Sequence, residues 1–174
     1  MFFFKKYTQK EAVKSLVINA IIAAAYVVLT LLNSSFSYGA IQFRISEMLV
    51  LICFFRPDTI IGLTLGCLLA NCSPASIFPY DIFFGTMGTL ISCIIMVYMP
   101  RLFPAALAPV IINGLVVGAE LYFVLGLDFW SSVGWVALGE FAVLMVGYAV
   151  FMVLMRNKRF LDVIGTTRHR EVKW

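Results

Sequence analysis

The chain has 174 residues, 62% hydrophobic and 13% charged, with a mean hydropathy of +0.98. Soluble domains are about 45–50% apolar and about 25% charged, so a soluble fold of this length could not hide the apolar surface, and the bilayer is the alternative solvent. A spanning helix takes roughly 20 apolar residues, which leaves room for at most about six or seven spans and none for a soluble catalytic or nucleotide-binding domain. The excess of 13 Lys+Arg over 9 Asp+Glu, net +4, reports topology rather than nucleic-acid binding.

Residues 1–14 form a basic N-terminal segment carrying Lys5, Lys6, Lys10 and Lys14. The apolar run behind it resembles a signal peptide, with Ala23-Ala24-Ala25 as a mock cleavage site, but it continues unbroken to Leu32 and predicts a retained first helix over 15–32. A polar stretch, Asn33 to Gly39, follows. The second apolar segment, 45–55, is short and stops at Arg56-Pro57-Asp58; the third runs over 59–71. These two are short for simple spans and read as tilted spans or as a re-entrant or partly buried hairpin. After the loop Ser73-Pro74-Ala75-Ser76 come segments over 80–99, 104–125 and 130–155, separated by Pro100-Arg101 and Gly126-Leu127-Asp128. The expectation is an all-α membrane protein: a six-helix membrane domain over 15–155 and a basic cytoplasmic tail over 156–174.

With the N-terminus in the cytoplasm, 12 of the 13 basic residues fall on the cytoplasmic side and only Arg44 falls outside. That asymmetry predicts an even number of spans with both termini cytoplasmic. Arg44 then needs a reason of its own. Cys53, Cys67, Cys72 and Cys93 lie in or beside apolar runs, with no C-x-x-C pair, and read as small buried hydrophobes; no metal site is expected. Ala20 and Ala24, Gly62 and Gly66, and Gly114 and Gly118 stand four apart, a spacing that lets helix backbones approach closely in lipid.

Five acids lie in or against the apolar segments: Glu47, Asp81, Glu120, Asp128 and Glu140. A carboxylate near the bilayer centre costs about 2.5–3.5 kcal/mol on insertion scales, so each is a candidate functional residue. The topology puts most of them in the outer half of the membrane, with Asn71 ending the third segment at the same level. Asn113 and Glu120 are seven apart and share one helix face. Trp130, Trp135 and Tyr122 fall at similar depths. Each has a structural alternative: Arg44 and Glu47 can pair at a helix start, Asp81 and Asp128 can cap helices, and the tryptophans can anchor at the interface. Glu120 and Glu140 have the weakest such alternative, because no basic residue lies in their spans.

Three classes of function compete: a substrate-binding membrane subunit, an intramembrane enzyme and an ion- or proton-coupled carrier. The spans hold no histidine or lysine and so no Ser-Lys or Cys-His pair, which disfavours the enzyme. The chain has no phosphate-cradling P-loop and cannot itself hydrolyse ATP.

The run Ile41-Gln42-Phe43-Arg44-Ile45-Ser46-Glu47, then Arg56-Pro57, then Ile61-Gly62-Leu63-Thr64-Leu65-Gly66-Cys67-Leu68-Leu69-Ala70-Asn71 resembles the queuosine-precursor transporter (QueT) family. Tyr80-Asp81-Ile82-Phe83-Phe84-Gly85-Thr86 and the alanine pattern of the first helix fit as well, and the resemblance covers about residues 8–155. It implies the S component of an energy-coupling factor (ECF) importer in the plasma membrane of a bacterium. Such a subunit binds a 7-deazaguanine (queuine, preQ1 or preQ0) from outside and works with a transmembrane coupling subunit and two ATPases, which use the ATP. It implies that Ala20 and Ala24 face the coupling subunit. The expected ligand-binding residues are Glu120 for the guanine edge, Glu47 or Asp81 for the amine of preQ1, and Glu140 for either. Asn71 and Arg44 serve the carbonyl or order the first loop, and Asn113 and Trp130 complete the pocket. The alternatives are a coupled carrier or an S component for another vitamin-like heterocycle.

Overall fold

The structure, a computed structural model, describes residues 8–37, 42–77 and 79–164. Lys5, Lys6, Arg168, Arg170 and Lys173, the Tyr38-Gly39 end of the polar stretch and the Ile41 start of the resembling run lie outside the described residues. Among those described the fold is all helical. Helix α1 spans Gln9–Leu32 and the short α2 spans Ser34–Ser37. A 3-10 helix over Ile45–Leu51 runs directly into α3, Ile52–Phe55. Then come α4 (Ile60–Asn71), α5 (Tyr80–Tyr98), α6 (Leu102–Leu125), α7 (Phe129–Leu154) and α8 (Lys158–Ile164).

Among the described residues, four helices are long and apolar enough to cross a membrane: α1, α5, α6 and α7. The third segment, α4, has 12 residues, or about 18 Å at 1.5 Å per residue, well short of a hydrocarbon core about 30 Å thick. The second differs more from expectation. It is not a tilted lipid-facing span, and its burial goes further than that of a partly buried hairpin. It threads the middle of the bundle, touching α1, α4, α5, α6 and α7. Val50, Leu51, Cys53, Phe54 and Phe55 are almost wholly buried, because protein rather than lipid surrounds them. A non-α-helical backbone is tolerated at that depth only in such a place.

Two other boundaries move. Helix α1 begins at Gln9, six residues before the expected start, because Thr8 and Glu11 close a capping box. The tail expected from residue 156 opens with α8, whose Phe160 and Ile164 pack on the core. At the other end of the bundle α6 stops at Gly126, whose φ of 69° suits glycine. Asp128 caps α7 by accepting from the Ser131 N–H at 2.9 Å. That bond holds its exposed carboxyl below the usual range.

The glycine pairs do bring backbones together. A Cβ on Gly62 would meet the Asn19 carbonyl oxygen at 2.5 Å, and one on Gly118 would meet Val133 Cγ2 at 2.6 Å. They hold α4 against α1 and α6 against α7. The apolar core fills the end of the bundle that carries Arg56 and Arg101, around Phe54, Phe55, Leu63, Met96 and Phe151. There Arg56 grips Asp58 with two contacts of 2.8 Å, donates to the carbonyl of Ile164, and is joined through Asp58 to Ser15 at 2.5 Å. A smaller core of Val117, Leu121 and Val136 lies nearer the opposite end. Between the two the interior is polar.

Candidate functional site

The polar interior is assembled by the central 3-10 helix and the five helices around it, α1, α4, α5, α6 and α7. Arg44 precedes that helix and Glu47 lies in its first turn; they are 4% and 1% exposed. They enter the bundle because α7 carries glycine where the chain passes. A Cβ on Gly139 would stand 2.5 Å from the carbonyl oxygen of Gln42, so only glycine lets this stretch lie against α7.

Glu47 is held from two sides. Its Oε1 accepts from the hydroxyl of Tyr26 on α1, and the hydroxyl of Thr89 on α5 lies 3.2 Å away. Arg44 supplies the charge, with Glu47, Asp81, Glu120 and Glu140 all within its electrostatic reach. This is the reason for its exceptional position: it is the cation at the centre of a buried acidic cluster. The expectation that no basic residue could serve Glu120 and Glu140 is corrected on this point, since Arg44 folds inward from its loop to lie among them.

Cys67 of α4 also departs from expectation. It is a free, fully buried thiol, but its sulfur sits in the polar cluster, 3.2 Å from Thr89 Oγ1, 3.4 Å from Asn71 Nδ2 and 3.8 Å from Arg44 Nη1. Cys72 is exposed in the loop after α4 rather than buried.

Asn71 ends α4 and donates to the carbonyl of Asp81 at 2.8 Å. Asp81 Oδ2 accepts from the Ile77 N–H at 2.6 Å, bracing the turn into α5. The capping alternative fails, since the N-cap of α5 is Pro79 with no side-chain cap bond; Asp81 is 1% exposed and stands against the carboxyl of Glu120. Glu120 is 0% exposed on the inner face of α6. Seven residues earlier on that face, Asn113 donates to Glu140 Oε1 of α7 at 3.0 Å. Glycines of α5 make room for both asparagines. A Cβ on Gly85 would come within 2.7 Å of Asn71 Nδ2, and one on Gly88 within 2.5 Å of Asn113 Oδ1.

Six buried acceptor oxygens in this cluster have no hydrogen-bond partner among the described residues. They are Glu47 Oε2, Asn71 Oδ1, Asn113 Oδ1, both oxygens of Glu120, and Glu140 Oε2. An unmet buried polar group costs about 1–3 kcal/mol, and more when charged. The structure thus gathers Arg44, Glu47, Asn71, Asp81, Asn113, Glu120 and Glu140 in one interior. It does not gather Trp130, which is 73% exposed at the start of α7 and packs edge-on against Phe129. Trp135 and Tyr122 are likewise exposed. Tyr26, Cys67, Thr89, Gly85 and Gly88 belong to the site and were not singled out by sequence. Gly85, Gly88 and Thr89, on one face of α5, carry a pattern that could have shown three of them.

A bundle of membrane-length helices around a buried, acid-rich cluster is a multi-pass membrane protein. The model of the family described as "QueT transporter" matches residues 16–156, and the chain belongs to that family. It is a transporter and not an enzyme. It is 34% identical over 158 residues to the "Queuosine precursor transporter QueT" of Lactococcus lactis subsp. cremoris (strain MG1363), across 80% of this chain and 90% of that relative. No solved structure matches the chain significantly.

Proposed function

We propose that the chain is the substrate-binding S component of an ECF importer, with six membrane-embedded segments and both termini in the cytoplasm of a bacterium. It captures a queuosine precursor of the 7-deazaguanine class from outside and passes it inward with a coupling subunit and two ATPases. The name of the Lactococcus relative supports the substrate class. The observation that carries the reading is Glu120, fully buried with neither carboxylate oxygen bonded, among other unmet acceptors. A 7-deazaguanine is rich in donors: a ring N–H, an exocyclic amine and, in preQ1, an ammonium. Hydrogen bonds to a charged group contribute about 1.5–3 kcal/mol each, so donors of this kind offset the cost of the buried acceptors.

Two features support the reading that partner subunits are needed. The chain has no ATP-binding motif, and the side of α1 that carries Ala20 and Ala24 is exposed. Calorimetric titration with preQ1 tests the reading. Glu120→Gln should weaken binding at least about tenfold, or about 1.4 kcal/mol, because an amide turns one donor toward the ligand's donors. Wild-type affinity in both Glu120→Gln and Glu140→Gln would remove carboxylate recognition. Gln variants that bind normally but lose a dependence of uptake on the proton gradient would point to a proton-coupled carrier instead.

A further inference from the structure

We propose that the site is divided by depth: Glu140, oriented by Asn113, reads the two adjacent donors of the deazaguanine's pyrimidine edge, and Glu120 with Asp81 takes a cationic arm at position 7. The division rests on the proposed function and reverses the sequence-based preference for Glu120 at the guanine edge.

The two carboxylates are held differently. Asn113 Nδ2 donates to Glu140 Oε1 at 3.0 Å, which restrains the carboxylate, while the amide oxygen faces Gly88 of α5. Glu140 Oε2 is left unmet beside it. A carboxylate restrained in this way suits a rigid donor pair, such as the ring N–H and exocyclic amine of a flat base. Neither oxygen of Glu120 meets a donor. What stands beside it is a second acid, Asp81. Arg44 is shared among Glu47, Asp81, Glu120 and Glu140, so one guanidinium faces four acids, and an ammonium compensates the excess with charge and three donors.

Depth gives the same order. Asp81 is the second residue of α5, and Glu120 lies five residues before the end of α6 at Leu125, about 7.5 Å along the axis. Asn113 is seven residues deeper on α6, about 10.5 Å, and Glu140 is eleven residues into α7, about 16 Å from its start. The 2-amino group and the 7-substituent sit at opposite ends of a 7-deazaguanine. The base then enters edge first, with its arm toward the mouth.

The experiment is a cycle of ligands against variants, read by calorimetry on the purified full chain. The ligands are 7-aminomethyl-7-deazaguanine, its 7-cyano analogue, and 7-aminomethyl-7-deazahypoxanthine, which lacks the 2-amine. Glu120→Gln should lower the aminomethyl-to-cyano affinity ratio at least tenfold and leave the ratio between the 2-amino and desamino ligands within twofold. Glu140→Gln should do the reverse. Asp81→Asn and Asn113→Ala are the second variant on each side and should follow their partners, so a variant that fails to fold leaves the comparison intact. If the two patterns exchange, or if each variant lowers both ratios equally, the division is wrong. If the wild-type chain binds none of the three ligands, the proposed function itself fails.

Discussion

Two hydroxyls converge on the carboxyl of Glu47 inside the bundle, within reach of a guanidinium. Tyr26 approaches from α1, Thr89 from α5, and Arg44 from the segment just before Glu47. Tyr26→Phe removes one donor and leaves the ring packing unchanged. It should lower stability by about 1–3 kcal/mol, the usual cost when a buried acceptor loses a partner. Thermal unfolding in detergent reads it, and an unchanged or raised Tm for Tyr26→Phe would show that this bond supports nothing. The acids were legible in the sequence because an ionisable group in an apolar run stands out. Tyr26 was not, since a tyrosine in an apolar helix looks the same whether it faces lipid or a carboxylate 21 residues away. Cys67 was hidden likewise, as thiols usually pack as hydrophobes. The opposite error fell on Trp130, whose depth matched the site while its direction, set by the rotation of α7, put it on the exposed surface.

Between elements, fit is set by glycines, and two of them separate contact from propensity. Gly62 has the Asn19 carbonyl oxygen 2.5 Å from the place of a Cβ, whereas Gly134 has nothing within 4 Å. Gly62→Ala must push α1 off α4 and should cost about 1–3 kcal/mol, the range for overpacking. Gly134→Ala meets open space and should be neutral or stabilising by up to about 1 kcal/mol through helix propensity. Parallel melts decide it, and a Gly62→Ala protein as stable as wild type would refute close packing at α1–α4. The long helices were readable from uninterrupted apolar runs bounded by Pro, Gly and Asp, and α5, α6 and α7 fall within two residues of expectation. The early start of α1 was signalled by Thr8 and Glu11, a capping pair that sits outside the apolar run and so escaped a reading based on hydropathy. The course of residues 45–55 was not readable. Their hydrophobicity is equally suited to lipid or to a protein interior, and only the neighbours' glycines, Gly139 and Gly147 on α7, reveal which surface they meet.

For the whole molecule, the uneven distribution of basic residues supports the proposed orientation, which the native cysteines can report. Cys53, Cys67 and Cys93 are buried and Cys72 is exposed, in a loop that the orientation puts outside. An impermeant thiol reagent applied to intact cells should label the wild-type chain once and a Cys72→Ser chain not at all; labelling of Cys72 only after the cells are opened would invert the orientation. The same architecture separates the ligand from the proposed coupling surface. Helix α1 turns Asn19, Ile22, Tyr26 and Thr30 inward, while Ala20, Ile21, Ala24 and Val28 are exposed on its other side. Tyr26 reaches the polar cluster through Glu47, whereas Ala20 and Ala24 touch no residue of that cluster by hydrogen bond or charge. A bulky side chain at either alanine should therefore leave the pocket intact and still prevent another helix from closing against α1, where small residues permit approach. Ala20→Leu and Ala24→Leu should bind preQ1 within about twofold of wild type, or about 0.4 kcal/mol, and support no uptake in cells supplied with the coupling subunit and ATPases. Normal uptake by both variants would remove this face as the coupling surface. Loss of binding together with uptake would mean instead that the alanines pack within the bundle, and that α1 sits differently from the arrangement described here.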